Sequence, residues 1–160
     1  VRSSAASDVY KRQAPVMISK NNPLYSVNDV FNGIVVKGNM LGTSMFYGSG
    51  AGKLPTASAV VADVVDCAKN KGRNIMMSWS EEKLNLLQID DVKSRFFVRV
   101  SGHAAERQSE IEELFGKVEI VAVPSLSEEF AFITGEITEQ EYREKAEKLD
   151  GIQSRIRARI

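Results

Sequence analysis

The chain has 160 residues, 43% of them hydrophobic and 26% charged, the composition of an ordered globular protein with room for one domain or two small ones. Its 21 basic and 21 acidic side chains cancel, so no global field draws it to nucleic acid or to an anionic membrane. The single cysteine, Cys67, and the single histidine, His103, exclude a disulfide framework, a cysteine-built zinc site and a histidine cluster. No metal is expected, and a reducing cytoplasm fits best. No apolar run reaches the ~20 residues of a membrane-spanning helix and no signal sequence is visible, so no membrane partner is expected either.

Residues 1–13, VRSSAASDVYKRQ, are polar and aperiodic and read as a translated cloning or sequencing-adaptor scar outside the fold. On that reading the natural chain was cut open at Ala14. Residues 14–23 are expected to be extended. Residues 24–36 alternate apolar and polar before Gly33-Ile34-Val35-Val36, which predicts a strand. The Lys37-Gly38-Asn39 cluster predicts a turn and residues 40–47 a second strand, giving a β-hairpin.

Gly48, Gly50 and Gly52 then lead straight into a helix. Pro55 and Thr56 mark its start, with Thr56 as N-cap, and Asn70-Lys71-Gly72 its stop. Ala57, Val60, Val61, Val64, Val65 and Ala68 form one apolar stripe, with Asp66 and Lys69 opposite it and Asp63 and Cys67 at its margin. Such a junction leaves the first helical N–H groups unpaired, and glycines let a ligand come close to the main chain, so the site suits an anion. A dinucleotide fingerprint would need a third glycine where Lys53 stands, so ordinary turn chemistry is as good a reading of these residues alone.

A hairpin and one helix close too little surface for a core of their own. The apolar faces of residues 14–72 are therefore expected to pack on upstream chain, on another subunit, or on both. Residues 73–92 read as a linker, with Ile75, Met76, Met77, Trp79, Leu84, Leu86, Leu87 and Ile89 in no clean period. From residue 93 the pattern becomes regular. It predicts a strand over 95–101, a helix over 104–115, strands over 118–123 and 130–137, a helix over 138–149 opened by a Thr138/Glu141 capping box, and a strand over 152–160. That order is βαββαβ, the split-βαβ sandwich. If the last strand lies beside the first, Arg95, Arg99, Arg155, Arg157 and Arg159 share a sheet face away from the helices, either solvated or docked on an acidic surface.

The run NPLYSVNDVFNGIVVKGNMLGTSMFYGSGAGKLPTASAVVADVVDCAKN resembles the closing segment of the catalytic region of homoserine dehydrogenases. There a P-L-x-x-V-x-x-x-x-N-A pattern leads to G-x-G-A-G-x-x-P-T-A-S-A-V and a helix. The matching positions are Pro23, Leu24, Val27, Asn32, Gly48, Gly50, Ala51, Gly52, Pro55, Thr56, Ala57, Ser58, Ala59 and Val60. Asn22 stands where a histidine is common, and Gly33 replaces the usual alanine. The tail from about residue 94 is similar to the ACT-type regulatory domain of many of these enzymes, Arg95-Phe96-Phe97-Val98-Arg99-Val100 resembling its first strand and Phe132-Ile133-Thr134 its third.

The resemblance implies an α/β (α+β) chain, an incomplete β-hairpin-plus-helix segment of the catalytic region over residues 14–72 followed by a βαββαβ ferredoxin-like ACT-type domain over 93–160. It implies interconversion of L-homoserine and L-aspartate 4-semialdehyde with NADP or NAD, a small-molecule substrate, and a homo-oligomer. Gly52 is then the expected cofactor contact, with Gly50 and Ala51 as weaker candidates. The family's catalytic lysine and acidic residues lie upstream, so no catalytic residue is expected here and the chain alone is expected to be inactive. Lys53 reads as a solvated charge, Asp63 as a local hydrogen-bonding group, and Cys67 as a packing residue. In the tail, the ligand-gripping D-x-x-G-V-L turn is not retained: His103, Glu106, Arg107 and Gln108 stand at its Asp, Gly, Val and Leu positions. Threonine feedback through that loop is not expected, and His103 reads as an exposed turn residue. The alternative is an amino-acid-sensing or assembly module of ACT type with no catalytic role.

Overall fold

A computed structural model describes residues 12–73, 81, 83 and 85–159. The first strand, β1 (Val16–Ile18), belongs by its pairing to the C-terminal sheet, whereas β2 (Phe31–Gly38) and β3 (Gly42–Ser49) form a hairpin of their own that leads into α1 (Lys53–Lys69). The chain accordingly divides into two compact units, one within Ser19–Glu81 and the other within Val1–Ile18 and Glu82–Ile160. The domain boundaries drawn from the sequence differ in this respect, because they group residues 16–18 with the hairpin. Those residues run parallel to the last strand, Val16 opposite Arg157 and Ile18 opposite Arg159. Ile75, Met76, Met77, Trp79 and Leu84 of the expected linker lie outside the described residues.

In the hairpin unit, the residues expected to begin the first strand make a turn instead. Asn22 Oδ1 accepts a hydrogen bond from the Leu24 N–H at 3.0 Å, and Pro23 opens a short 3-10 helix, Pro23–Ser26. Asp29, at φ 55°, then reverses the chain into β2. The turn lies flat on the hairpin because position 33 is glycine: a Cβ there would sit 2.7 Å from Leu24 Cδ2 and 2.9 Å from Met45 Cε. Phe31 stacks on Tyr47 at 5.0 Å. None of the described residues of this unit is buried, and the α1 stripe stands open, Val61 and Val64 at 60% and 62% exposure.

The C-terminal unit is built on β4 (Lys93–Ser101), which is followed by α2 (Ala104–Phe115), β5 (Glu119–Val121), β6 (Glu129–Ile133), β7 (Ile137–Thr138), α3 (Glu139–Ala146) and β8 (Ile152–Arg159). The sheet order is β1-β8-β4-β6-β5, with β7 also on β4. The four strands β8-β4-β6-β5 follow the split-βαβ arrangement the spacing predicts. Phe96, Val98 and Val100 of β4 are fully buried with Phe132 of β6 and Ile111 of α2, and Phe115 and Tyr142 complete the cluster. The aromatic rings meet at 4.5 Å (Phe96–Tyr142) and 5.2 Å (Phe115–Phe132), distances at which tilted pairs attract beyond their area burial.

The single strand expected over 130–137 is broken at Thr134. Its Oγ1 accepts from the Phe96 N–H and its own N–H donates to the Phe96 carbonyl, both at 2.9 Å, so β6 and β7 pair with β4 separately. The capping box forms as expected. Thr138 Oγ1 accepts from the Glu141 N–H at 3.1 Å and Glu141 Oε2 from the Thr138 N–H at 2.7 Å.

The five-arginine face does not form. The β4–β8 register sets Phe96 opposite Arg157 and Val98 opposite Arg155, so these two arginines share the core side of the sheet, while Arg95 and Arg99 lie opposite Ala158 and Ser154 on the other side. Alternation fixed each strand's parity, but the register joins opposite parities. Arg155 lies 4.6 Å over the Tyr142 ring and 5.4 Å over Phe96. Its Nη1 donates to Glu139 Oε2 at 3.0 Å, and Arg157 Nε donates to Glu139 Oε1. Glu139 is only 4% exposed. Arg12, counted with the leader from sequence, stands 4.0 Å from Glu139 Oε1 and donates to Ser94 Oγ at 3.0 Å. On the opposite face Arg99 pairs with Glu129 at 2.6 Å and Arg95 with Glu119 at 3.6 Å.

Phe132→Ala is expected to cost about 3–5 kcal/mol in urea unfolding through the cavity it opens. Glu139→Ala, which strands Arg155 and Arg157 beside an apolar core, is expected to cost about 3–5 kcal/mol. The Thr138 amide holds the Glu141 carboxyl below its ordinary value of 4.5. A lowered folded pKa gives stability that is present above the unfolded value and lost as the pH falls through the folded one. Melting temperature measured against falling pH should therefore show a shallower acid limb in Glu141→Gln than in the parent.

Candidate functional site

The site expected from sequence is the stretch that joins β3 to α1, and its shape comes from three glycines with different surroundings. Gly48 still pairs with Asn32 in the hairpin, and a Cβ added to it would meet nothing within 4 Å. The ladder ends one residue later, at Phe31 opposite Ser49. Gly50 lies beneath the Asn32 side chain, whose Nδ2 is 2.0 Å from where a Cβ would be. Gly52 turns the chain into the helix at φ 121° and ψ 157°, a conformation taken without strain essentially by glycine alone.

Gly52, not Thr56, is the N-cap. Its carbonyl accepts the first helical hydrogen bond, from the Thr56 N–H at 3.1 Å, so the helix begins at Lys53 with Pro55 as its third residue. Proline costs nothing there, since that position has no intrahelical acceptor for an N–H. The amides of Lys53 and Leu54 also lack an intrahelical partner, and no acidic residue stands in the first turn to compete for them. Unpaired amides at the positive end of a 17-residue helix, beside bare glycine backbone, give the junction the chemistry that suits an anion.

Gly50, Ala51 and Gly52 thus come together as one exposed turn, with Lys53 exposed beside them. Asp63 lies on the helix, also exposed, and Cys67 is exposed rather than packed. His103 is the exposed N-cap of α2 and makes no side-chain capping bond. In that loop Arg107 turns back, its Nη1 donating to the Ser101 carbonyl and its Nε to Glu110 Oε2, each at 3.0 Å. Ser101 Oγ donates to the Gly151 carbonyl at 3.0 Å. A cavity of about 270 Å³ opens at Gly102 and His103, lined mainly by apolar residues such as Val123, Pro124 and Phe130. Among the described residues no group of histidine, cysteine and carboxylate side chains could hold a metal, and no helix is long and apolar enough to cross a membrane. The contact between Asn32 and Gly50 was not foreseen from sequence. The only sequence signal for it is that both belong to the quoted motif.

Residues 2–65 match the family model described as homoserine dehydrogenase. The homoserine dehydrogenase of Synechocystis sp. is 41% identical over 96 residues, 55% of this chain and 22% of that protein. That of Corynebacterium glutamicum is 49% identical over 65 residues, 41% of this chain and 15% of that protein. The chain therefore spans about a fifth or less of the length of these curated relatives. Among solved structures, a homoserine dehydrogenase from Thiobacillus denitrificans matches with a TM-score of 0.71 at 24% identity, over 91% of this chain and 38% of that one. One from S. aureus matches with a TM-score of 0.67 over 91% and 37%. At that identity the two structures show a common fold.

Gly52→Ala is expected to cost roughly 1–3 kcal/mol in local stability, whereas Gly48→Ala, with open space and no left-handed φ, is expected to cost little. Hydrogen exchange at the Thr56 amide, which bonds the Gly52 carbonyl, and at the α1 amides that follow checks this: faster in the former, unchanged in the latter.

Proposed function

We propose, from the match of residues 2–65 to the homoserine dehydrogenase family model and the similarity to curated homoserine dehydrogenases, that the chain is the C-terminal portion of an enzyme that interconverts L-homoserine and L-aspartate 4-semialdehyde, a step toward threonine and methionine. The co-substrate is NAD or NADP, which takes or gives the hydride. The observation that carries this reading is the glycine junction at Gly50–Ala51–Gly52, which falls inside the matched residues 2–65 and has the bare, amide-rich surface a dinucleotide needs.

In this reading Gly52 is the main cofactor contact, with Gly50 and Ala51 beside it. The side chains that move the hydroxyl proton and hold the substrate ammonium are supplied by other parts of the enzyme, and this chain alone is inactive. The exposed apolar faces of the hairpin and α1 are the surface through which the enzyme forms a cytoplasmic homo-oligomer. The C-terminal sheet and its two helices are an ACT-type module. Arg107 favours assembly over sensing for it, because its guanidinium already bonds the carbonyl of the β4–α2 loop that a ligand would approach.

The enzyme expressed with its upstream coding sequence should oxidise L-homoserine with NAD or NADP, followed by nicotinamide absorbance. Gly52→Ala should raise the dinucleotide KM about tenfold while leaving the homoserine KM nearly unchanged, the signature of a lost cofactor contact. An upstream frame with no strand followed by G-x-G-x-x-G would defeat the proposal. Calorimetry with threonine should give no heat if the tail is an assembly module.

A further inference from the structure

At position 50 the backbone does not ask for glycine. The glycines at positive φ are Gly42, Gly52, Gly72, Gly102, Gly116 and Gly151, and Gly50 is not among them. What excludes a side chain is Asn32. A Cβ on Gly50 would lie 2.0 Å from its Nδ2, 3.0 Å from its Cγ and 3.4 Å from its Cβ. Alanine at 50 would have to turn the exposed Asn32 carboxamide away and move its Cγ by a few tenths of an ångström.

The topology explains why that contact matters. Asn32 pairs with Gly48, and in an antiparallel pair the residue two further along shares the same face. The Asn32 side chain leans along that face to Gly50. Beyond the last ladder pair, Phe31 with Ser49, no cross-strand backbone bonds hold the chain. There the Asn32 carboxamide lies against Gly50.

We propose that Asn32 is the positioning residue of the nucleotide turn: its carboxamide rests on the bare backbone of Gly50 and holds Gly50, Ala51 and Gly52 in the path that presents their bare backbone to the cofactor. This rests on the cofactor reading of the turn given above. A turn ordered in advance binds without first giving up its conformational freedom, so loss of the side chain weakens dinucleotide binding without touching the chemical step.

A double-mutant cycle in the full enzyme tests it. Asn32→Ala is expected to raise the dinucleotide KM about tenfold with kcat and the homoserine KM within about twofold. Gly50→Ala, which displaces Asn32 and also puts a methyl group on the turn beside the cofactor, should raise the dinucleotide KM at least as much, and the double variant should be no worse than Gly50→Ala alone. Additive losses, or an Asn32→Ala enzyme with the parent dinucleotide KM, overturn the proposal. If Asn32→Ala does not fold, Asn32→Ser takes its place, and an unchanged dinucleotide KM in that variant overturns the proposal equally. An enzyme with no dinucleotide-dependent turnover at all defeats the functional reading instead. Thermal melts then read the contact directly: Gly50→Ala should lower the midpoint and Asn32→Ala/Gly50→Ala recover it, and no recovery overturns the contact.

Discussion

Every strand of the C-terminal sheet takes its place from β4. It pairs with β6 and β7 along one edge and with β8 along the other, and β5 and β1 attach only through those partners. One face of β4 carries Phe96, Val98 and Val100 into the core, so the parity of these residues decides which side the helices occupy. It also decides the fate of every charge on the neighbouring strands. Arg155 and Arg157 are drawn to the core side and neutralised by Glu139, while Arg95 and Arg99 are left on the far side with Glu119 and Glu129.

The ion cluster at Glu139 is costly to bury and so must be complete. Glu139 sits at the first residue of α3, where the helix dipole favours a carboxylate, and its oxygens are bonded by Arg155 and Arg157. The Arg155 guanidinium is stacked over Tyr142 and Phe96, which burial of a planar, weakly hydrated cation tolerates well. Burial pushes the Tyr142 hydroxyl pKa up, against the lowering field of Arg155. One strand, the helix that carries Glu139 and the segment at Arg12 are tied to one carboxylate.

The sequence made most of this unit legible because its signals are local. The 104–115 helix, the Thr138 capping box and the β4 alternation depend only on neighbours within a turn or two, and each appears where the pattern puts it. Register is not local. Alternation along β8 says that Arg155 and Arg157 share a face, but which face depends on the β4 pairing and on the irregularity after Arg99, and those cannot be read from either strand alone. The N-terminal turn was missed for a similar reason. Asn22 and Pro23 specify a capped 3-10 turn through one side-chain bond, which a window of alternating hydrophobicity reads as strand. In the hairpin unit the missing core was legible: so few residues cannot close one, and none of those described is buried.

The three glycines of the junction show where a motif stops explaining itself. In the sequence Gly48, Gly50 and Gly52 look equivalent, and together they suggest close approach of a ligand. In the fold they are glycine for separate reasons. Gly52 is required by its own backbone, Gly50 by the side chain of a residue on another strand, and Gly48 by nothing within this unit. A glycine with open space and an ordinary φ gains nothing for the folded chain and costs entropy in a strand. Nothing in this unit asks for glycine at position 48, so identical letters in one motif answer to different constraints, and only the fold separates them.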